Sequence, residues 1–184
     1  MRRKDRQMSR DFAEKIIDQA QFGVLGLGGP EPYTIPLSLV RKDQVLYFHS
    51  APAGRKVEKI KDGDLVSVSF VGRVQVPKNY SRAQVQEFIA EKKFAQVGSK
   101  VYTTEFESAH VDGKIYRIED PKEMEEALLL IAQKYTPDLA DLSLDFIKAS
   151  FSRTAVYKIE IFQINGKRKK FDSQGQEMKF QRKE

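Results

Sequence analysis

His49, Ser50, Arg55 and Lys56 lie close together in the stretch "VLYFHSAPAGRKVEKIKDG", which runs from Val45 to Gly63. A serine offers a hydroxyl donor, an arginine a planar fork of N–H groups and a lysine a compact point charge. At the end of a strand and the start of a helix, this is donor chemistry suited to a phosphate. The competing reading is an ordinary strand-to-helix junction whose cations face water. His49, one of two histidines in the chain, reads equally as a donor to a bound anion or as a satisfied, half-buried side chain.

Two other segments carry polar or backbone chemistry. In "PYTIPLSLV", Pro32 and Pro36 bracket a short extended run. Pro36 cannot donate a ladder hydrogen bond, so the strand is an edge or is broken there, leaving backbone groups for a flat heterocycle or merely for solvent. In "VYTTEFESAHV", alternation puts Thr103, Glu105, Glu107 and Ala109 on one face and Thr104, Phe106, Ser108 and His110 on the other. Such a strand lines a pocket or an interface, or is a solvated edge.

The elements that must position these groups follow from periodicity. Ser9 caps a helix over about 10–21, with Phe12, Ile16, Ile17 and Ala20 on one face. "QFGVLGLGGPEPYTIPLSLV" reads as two strands around a Gly/Pro turn, and "QVLYFHS" as a third strand with Leu46 and Phe48 opposite Tyr47 and His49. "AGRKVEKIKDG" is a short helix ended by Gly63, and "DLVSVSFVG" a strand alternating at Val66, Val68 and Phe70. One helix is expected near 81–95. "KVYTTEFESAHVDGKIYRIED" reads as a hairpin turning at Asp112-Gly113. A helix starting near Pro121, a second over about 138–149, and a last strand "RTAVYKIEIFQINGK" ending in an Asn165-Gly166 turn complete the chain. The expected fold is mainly β, a small antiparallel Greek-key barrel with added helices.

Composition removes several classes. There is no cysteine, so disulfides and thiol nucleophiles are excluded, and the two histidines lack metal-ligand spacing. Gly26 and Gly28 begin a dinucleotide pattern, but Glu31 stands at its third glycine and no helix follows. GxxxxGK[ST] and GxSxG are absent, and no Ser/His/Asp order has useful spacing for a hydrolase. No apolar run approaches the roughly 20 residues of a membrane span, and the charged N-terminus leads into no apolar signal region. The expectation is a soluble cytoplasmic protein without a membrane partner.

The net charge of +6 is terminal. Residues 1–6 contribute +3 and residues 167–184 contribute +4, leaving −1 for the body. A basic face with interleaved aromatics, the usual mark of a nucleic-acid reader, is missing. The tail 169–184 reads as a solvated end or as an electrostatic arm for an anionic partner.

In order and content, "PYTIPLSLV", "LYFHSAPAGRKVEKI" and "VYTTEFESAHVDGKIYRIED" resemble the pyridoxamine 5′-phosphate oxidase-like flavoproteins. The branch most similar is the one containing the nitroimidazole-resistance (Nim-type) proteins. The resemblance spans about residues 8–168, with residues 73–100 as a helical insertion and 169–184 as a basic tail. It implies a six-stranded antiparallel split barrel of Greek-key type, a homodimer, and FMN in a cleft between subunits. By that resemblance the segment Thr34, Ile35, Pro36, Leu37 and Ser38 lies along the flavin ring. His49 and Ser50 sit at the ribityl-phosphate, Arg55 and Lys56 hold the phosphate, and Ser108 stands beside the flavin. His49 is the catalytic candidate, and Arg153 or Lys158 the late-chain residue that a second subunit would supply.

The true oxidases carry a basic residue at each end of the segment matching "TIPLS" and a tryptophan-rich C-terminal region. This chain has neither, so the resemblance points away from pyridoxamine phosphate oxidation. It implies an FMN-dependent oxidoreductase or reductase acting on a small molecule, with NADH or NADPH as donor. The alternative is a non-catalytic flavin-binding protein for storage, sensing or partner binding. A deazaflavin or haem is the alternative ligand of such a barrel.

Overall fold

In the computed structural model, which describes residues 3–180, the chain begins with a short 3-10 turn and β1 (Gln7–Met8). Ser9 then caps α1 (Arg10–Gln19), its Oγ accepting from the Phe12 N–H at 3.2 Å. Next come β2 (Gly23–Leu27), β3 (Tyr33–Leu37), β4 (Val40–Lys42), β5 (Val45–Ser50), α2 (Arg55–Lys59) and β6 (Leu65–Gln75). Two helices follow, α3 (Arg82–Ala90) and α4 (Phe94–Val101), then β7 (Glu105–Ile118) and α5 (Pro121–Tyr135). A 3-10 segment at Pro137–Leu142 leads into α6 (Leu144–Ser150) and the closing β8 (Ala155–Lys169).

All strands pair antiparallel in one sheet of order β3-β2-β6-β7-β8-β5-β4, with β1 added to β8. β3 and β4 stand at opposite ends of that path, yet only Ser38 and Leu39 separate them in sequence. Laid flat, six spacings of about 4.8 Å would part the end strands by about 29 Å. The link from Leu37 to Val40 reaches only about 11 Å. The sheet must therefore curl until its ends meet, and the seam between β3 and β4 stays without ladder bonds. The architecture is thus an eight-stranded sheet, curled but not closed, with helices added; six strands were expected.

The curl encloses the core. Leu25, Leu46, Phe48, Val68, Phe70, Val111, Ile115 and Ile159 are fully buried inside, and α1 closes one side with Ala13, Ile16 and Ile17. Each such aliphatic or phenyl side chain contributes about 1.5–3 kcal/mol of transfer free energy. A second cluster packs α5 and α6 against β8 through Ile131, Leu128, Ile147 and Val156. From α5, the Lys134 ammonium donates to Leu39 O at 2.8 Å and Ile17 O at 3.1 Å, and the Tyr135 hydroxyl donates to Leu39 O at 2.9 Å. Three donor bonds thus satisfy the end of α1 and the buried bend at the seam.

Several sequence expectations give way here. The Asp112-Gly113 and Asn165-Gly166 pairs are not turns but lie within β7 and β8. A Cβ on Gly113 would stand 2.5 Å from Ile159 Cγ2 and 2.6 Å from Glu160 O; one on Gly166 would stand 3.1 Å from Ala13 Cβ. Glycine is needed there for close approach of backbones, and the ladder is bulged at 112/113. β4, unforeseen, forms a hairpin with β5 across Asp43 at φ 53°. The single helix expected at 81–95 is two, broken where Lys92 takes φ 54°. Helix α2 ends at Lys59, four residues before Gly63. The helix expected at 138–149 is a 3-10 segment followed by α6.

The described part of the tail is anchored to the body, with residues 172–174, Gln176 and Met178 exposed between the anchor points. Phe171 is buried, the Phe180 N–H donates to Asp5 O at 3.1 Å, and Glu177 pairs with Arg6 at 2.6 Å and Lys179 at 2.9 Å. Residues 181–184 of the expected arm lie outside the described residues.

Candidate functional site

β5 alternates as its sequence requires. Leu46 and Phe48 point into the core, and Tyr47 and His49 face the other way. The strand ends at Ser50, opposite Ala155 of β8, and the chain turns through 51–54 into α2. Gly54 takes φ 111° at the helix cap, a conformation that side chains resist. α2 has five residues, so its dipole is small and the side chains must carry any anion binding.

Those side chains have an unusual environment. The Arg55 guanidinium lies 4.9 Å from the Tyr33 ring centre, and Lys56 Nζ lies 5.8 Å from that of Phe48. Phe48 is itself stacked on Tyr157 at 5.0 Å. Neither Arg55 nor Lys56 has a carboxylate partner among the described residues. One turn later, Lys59 is paired with Glu31 at 2.9 Å. Desolvation lowers the Lys56 pKa. Two cations held on aromatic faces without a carboxylate partner, Arg55 exposed and Lys56 partly desolvated, form a site that gains by taking up an anion.

His49 is exposed by accessible area, yet enough protein surrounds the ring for desolvation, then the Lys56 charge, to lower its pKa. It is therefore neutral at pH 7 and able to accept a proton. The Ser50 hydroxyl donates to Ala51 O at 2.7 Å and would have to rotate to donate to a ligand.

The Tyr33–Arg55 contact brings α2 against β3. β3 pairs with β2 alone, so Pro36 is accommodated on an edge strand and the outer edge of Thr34–Leu37 offers backbone groups to a ligand. Ile35 and Leu37 point toward the core, Thr34 and Pro36 outward, and Ser38 is exposed. The structure thus brings Arg55 to Tyr33, the residue before the Thr34–Ser38 segment, while Lys56 rests on Phe48 of β5. Ser108 stands apart. It pairs with Val71 of β6, with β2 and β6 between it and Leu37, about 14 Å at three strand spacings. Lys158 is committed to Glu123 at 2.8 Å.

Sequence reasoning missed Tyr33, the platform under Arg55, and the Lys134–Tyr135 clamp behind Leu39. It also missed a brace on the outward face, where Ser69 Oγ meets His110 Nδ1 at 3.1 Å, His110 Nε2 lies 3.2 Å from Asp112 Oδ1, and Ser67 donates to Asp112 at 2.6 Å. Strand alternation at 67/69 and 110/112 was the available signal. Among the described residues, no group of three or more His, Cys, Asp or Glu could hold a metal ion, and no helix is long and apolar enough to cross a membrane.

Residues 9–168 match the family model described as pyridoxamine 5′-phosphate oxidase. Among solved structures, the chain is similar to a candidate 5-nitroimidazole antibiotic resistance protein from Bacteroides thetaiotaomicron, with 24% identity, TM-score 0.63, and 88% of this chain and 85% of that one covered. It is similar to the FAD- and haem-binding protein of Mycobacterium smegmatis, with 15% identity, TM-score 0.64, and 89% and 73% covered. It is also similar to a FAD-binding protein from Mesorhizobium loti, with 21% identity, TM-score 0.51, and 89% and 96% covered. At these identities the likeness is one of fold. No curated protein sequence matches the chain.

Proposed function

The chain belongs to the pyridoxamine 5′-phosphate oxidase family, and from that premise we propose that it is a flavoprotein that binds FMN through its phosphate and acts as an FMN-dependent oxidoreductase on a small molecule. The observation that carries this reading is the pair Arg55 and Lys56, resting on Tyr33 and Phe48 without a carboxylate partner among the described residues. A phosphate between them supplies the missing counter-charge in charge-assisted hydrogen bonds. Solved structures of similar fold are described as FAD-binding proteins, which supports a flavin rather than a deazaflavin or haem alone.

A bound flavin supplies hydride or electron transfer. The residues of this chain have the remaining tasks. Arg55 and Lys56 hold the phosphate, with Ser50 able to add a hydroxyl. The free edge from Thr34 through Ile35, Pro36 and Leu37 to Ser38 offers backbone donors and acceptors to the ring. His49, neutral at pH 7, accepts or returns a proton beside the site.

The partner in this proposal is a second copy of the chain. Phe22 and Val71 remain 52% and 53% exposed beside the outward face that carries Ser108, and a second copy would cover them. Ser108 would then face a flavin held by the other subunit. Light scattering on a size-exclusion column tests this, with a dimer mass expected and a monomer mass opposing it. A cytoplasmic location and a nicotinamide donor complete the proposal.

Anaerobic mixing of the FMN-loaded protein with NADH or NADPH separates the enzyme from a non-catalytic flavin binder. Bleaching of the flavin absorbance, reversed by an acceptor, supports the enzyme. An unreduced flavin with every donor favours storage, sensing or partner binding.

A further inference from the structure

The ladder between β2 and β6 stops at the Val24/Ser69 pair, while β6 runs on to Gln75 beside β7. Between Val71 and Val74, β6 holds one residue more than the facing stretch of β7, a bulge at Gly72 and Arg73. A cleft of about 410 Å³ opens between this bulge and the end of α1. That volume falls within the range of about 300–1,000 Å³ common for small-molecule sites. Bulges re-aim side chains, and this one places Arg73 at the cleft.

The two walls differ in chemistry. On the sheet side, the Arg73 guanidinium donates to Gln75 at 2.6 Å and has no carboxylate partner among the described residues. Glu107 also lines this side, but it is paired with Arg168 at 3.2 Å. This wall therefore offers a planar fork of N–H groups to a carboxylate. The opposite wall is the C-terminal end of α1, with Gln19 and Gln21. A helix C-terminus carries partial negative charge and carbonyls without intrahelical donors, which suits an amine. Phe22 and Val71 also line the cleft and are half exposed. An aromatic ring laid against Phe22 covers apolar surface that the core leaves open.

These walls call for an acid, a flat apolar ring and an amine in one small molecule. We propose that the cleft is a binding site for a small aromatic acid that also carries an amine, with 4-aminobenzoate as the simplest probe. The carboxylate meets Arg73, the ring lies on Phe22 and Val71, and the amine points to the end of α1. The site shares no residue with the flavin site proposed above and does not rest on it. In the proposed dimer, a second copy covering Phe22 and Val71 would close the open side of the cleft over the ligand.

Calorimetric titration of the full-length protein with 4-aminobenzoate, 4-aminobenzamide and benzoate is the test. Wild type should bind 4-aminobenzoate about tenfold more tightly than either of the others, the scale of one charge-assisted hydrogen bond. Arg73→Gln should abolish the preference for the acid over the amide and leave FMN affinity as in the wild type. Phe22→Leu should weaken all three probes severalfold. No binding of any probe to the wild type, or an acid preference that survives Arg73→Gln, overturns the proposal and leaves the FMN reading standing. A loss of FMN affinity in Arg73→Gln places that residue at the flavin and overturns the separate site. Failure of the wild type to take up FMN, with the probes bound as expected, overturns the flavin reading alone.

Discussion

The Arg55 guanidinium lies over the Tyr33 ring at 4.9 Å, and this contact ties the helix after β5 to the edge strand β3. It orients a cation without a carboxylate and sets the phosphate end of the proposed site against its ring end. Tyr33→Leu should therefore weaken FMN binding severalfold, on the scale of about 0.5–1 kcal/mol for an exposed cation–π contact. Tyr33→Phe should keep it, and riboflavin affinity should change in neither. Flavin fluorescence titrations read all three comparisons.

His49 titrates below its ordinary range because of desolvation and then Lys56. The unfolded chain binds the proton more readily, so the stability linked to this group is present above the unfolded pKa and falls as pH drops through the folded one. A phosphate bound at Lys56 reverses the local charge. The NMR titration midpoint of His49 should rise when FMN is added and stay in place with riboflavin.

The clamp behind the seam should matter to the whole fold. Lys134→Met removes the donor to Ile17 O and one of the two donors to Leu39 O, which keeps Tyr135, and a buried acceptor left without a partner costs about 1–3 kcal/mol. Thermal unfolding should show the loss. Tyr135→Phe removes one donor and should cost less.

Gly113 distinguishes strand from turn. Asn is favoured in a tight turn at positive φ but meets Ile159 and Glu160 if placed at Gly113 in β7. Gly113→Asn should strongly lower the unfolding temperature, and an unchanged temperature would restore the hairpin reading.

Burial alone would raise the Glu177 pKa, but hydrogen bonds from Arg6 and Lys179, with their charges, outweigh it and set it at about 2. The stability from this lowered carboxylate is present above the unfolded pKa and is lost as pH falls toward 2. Glu177→Gln should release the tail at neutral pH, seen as faster limited proteolysis beyond Lys169, with FMN affinity unchanged.

What was legible in the sequence follows from the range of the interactions. The alternation of β5, the edge character forced by Pro36 and the Gly54 turn before Arg55 are local, and each is in place. The Asp112-Gly113 and Asn165-Gly166 pairs carried the local signal of a turn, but the approach of β8 to β7 and of α1 to Gly166 decided otherwise. The Lys134–Leu39 bond joins residues 95 apart, beyond any spacing rule. Ser108 belongs to the motif in sequence, yet one chain holds it three strand spacings from Leu37, and in the proposed dimer a second copy would bring a flavin to it.

The central claim is that Arg55 and Lys56 bind the phosphate of FMN, and a comparison of FMN with riboflavin tests it most directly. Titrating both ligands into the wild type and into the Arg55→Ala, Lys56→Ala double variant should show a large loss of FMN affinity and little change for riboflavin. Equal losses for the two ligands, or a wild-type protein that takes up neither, would contradict the account.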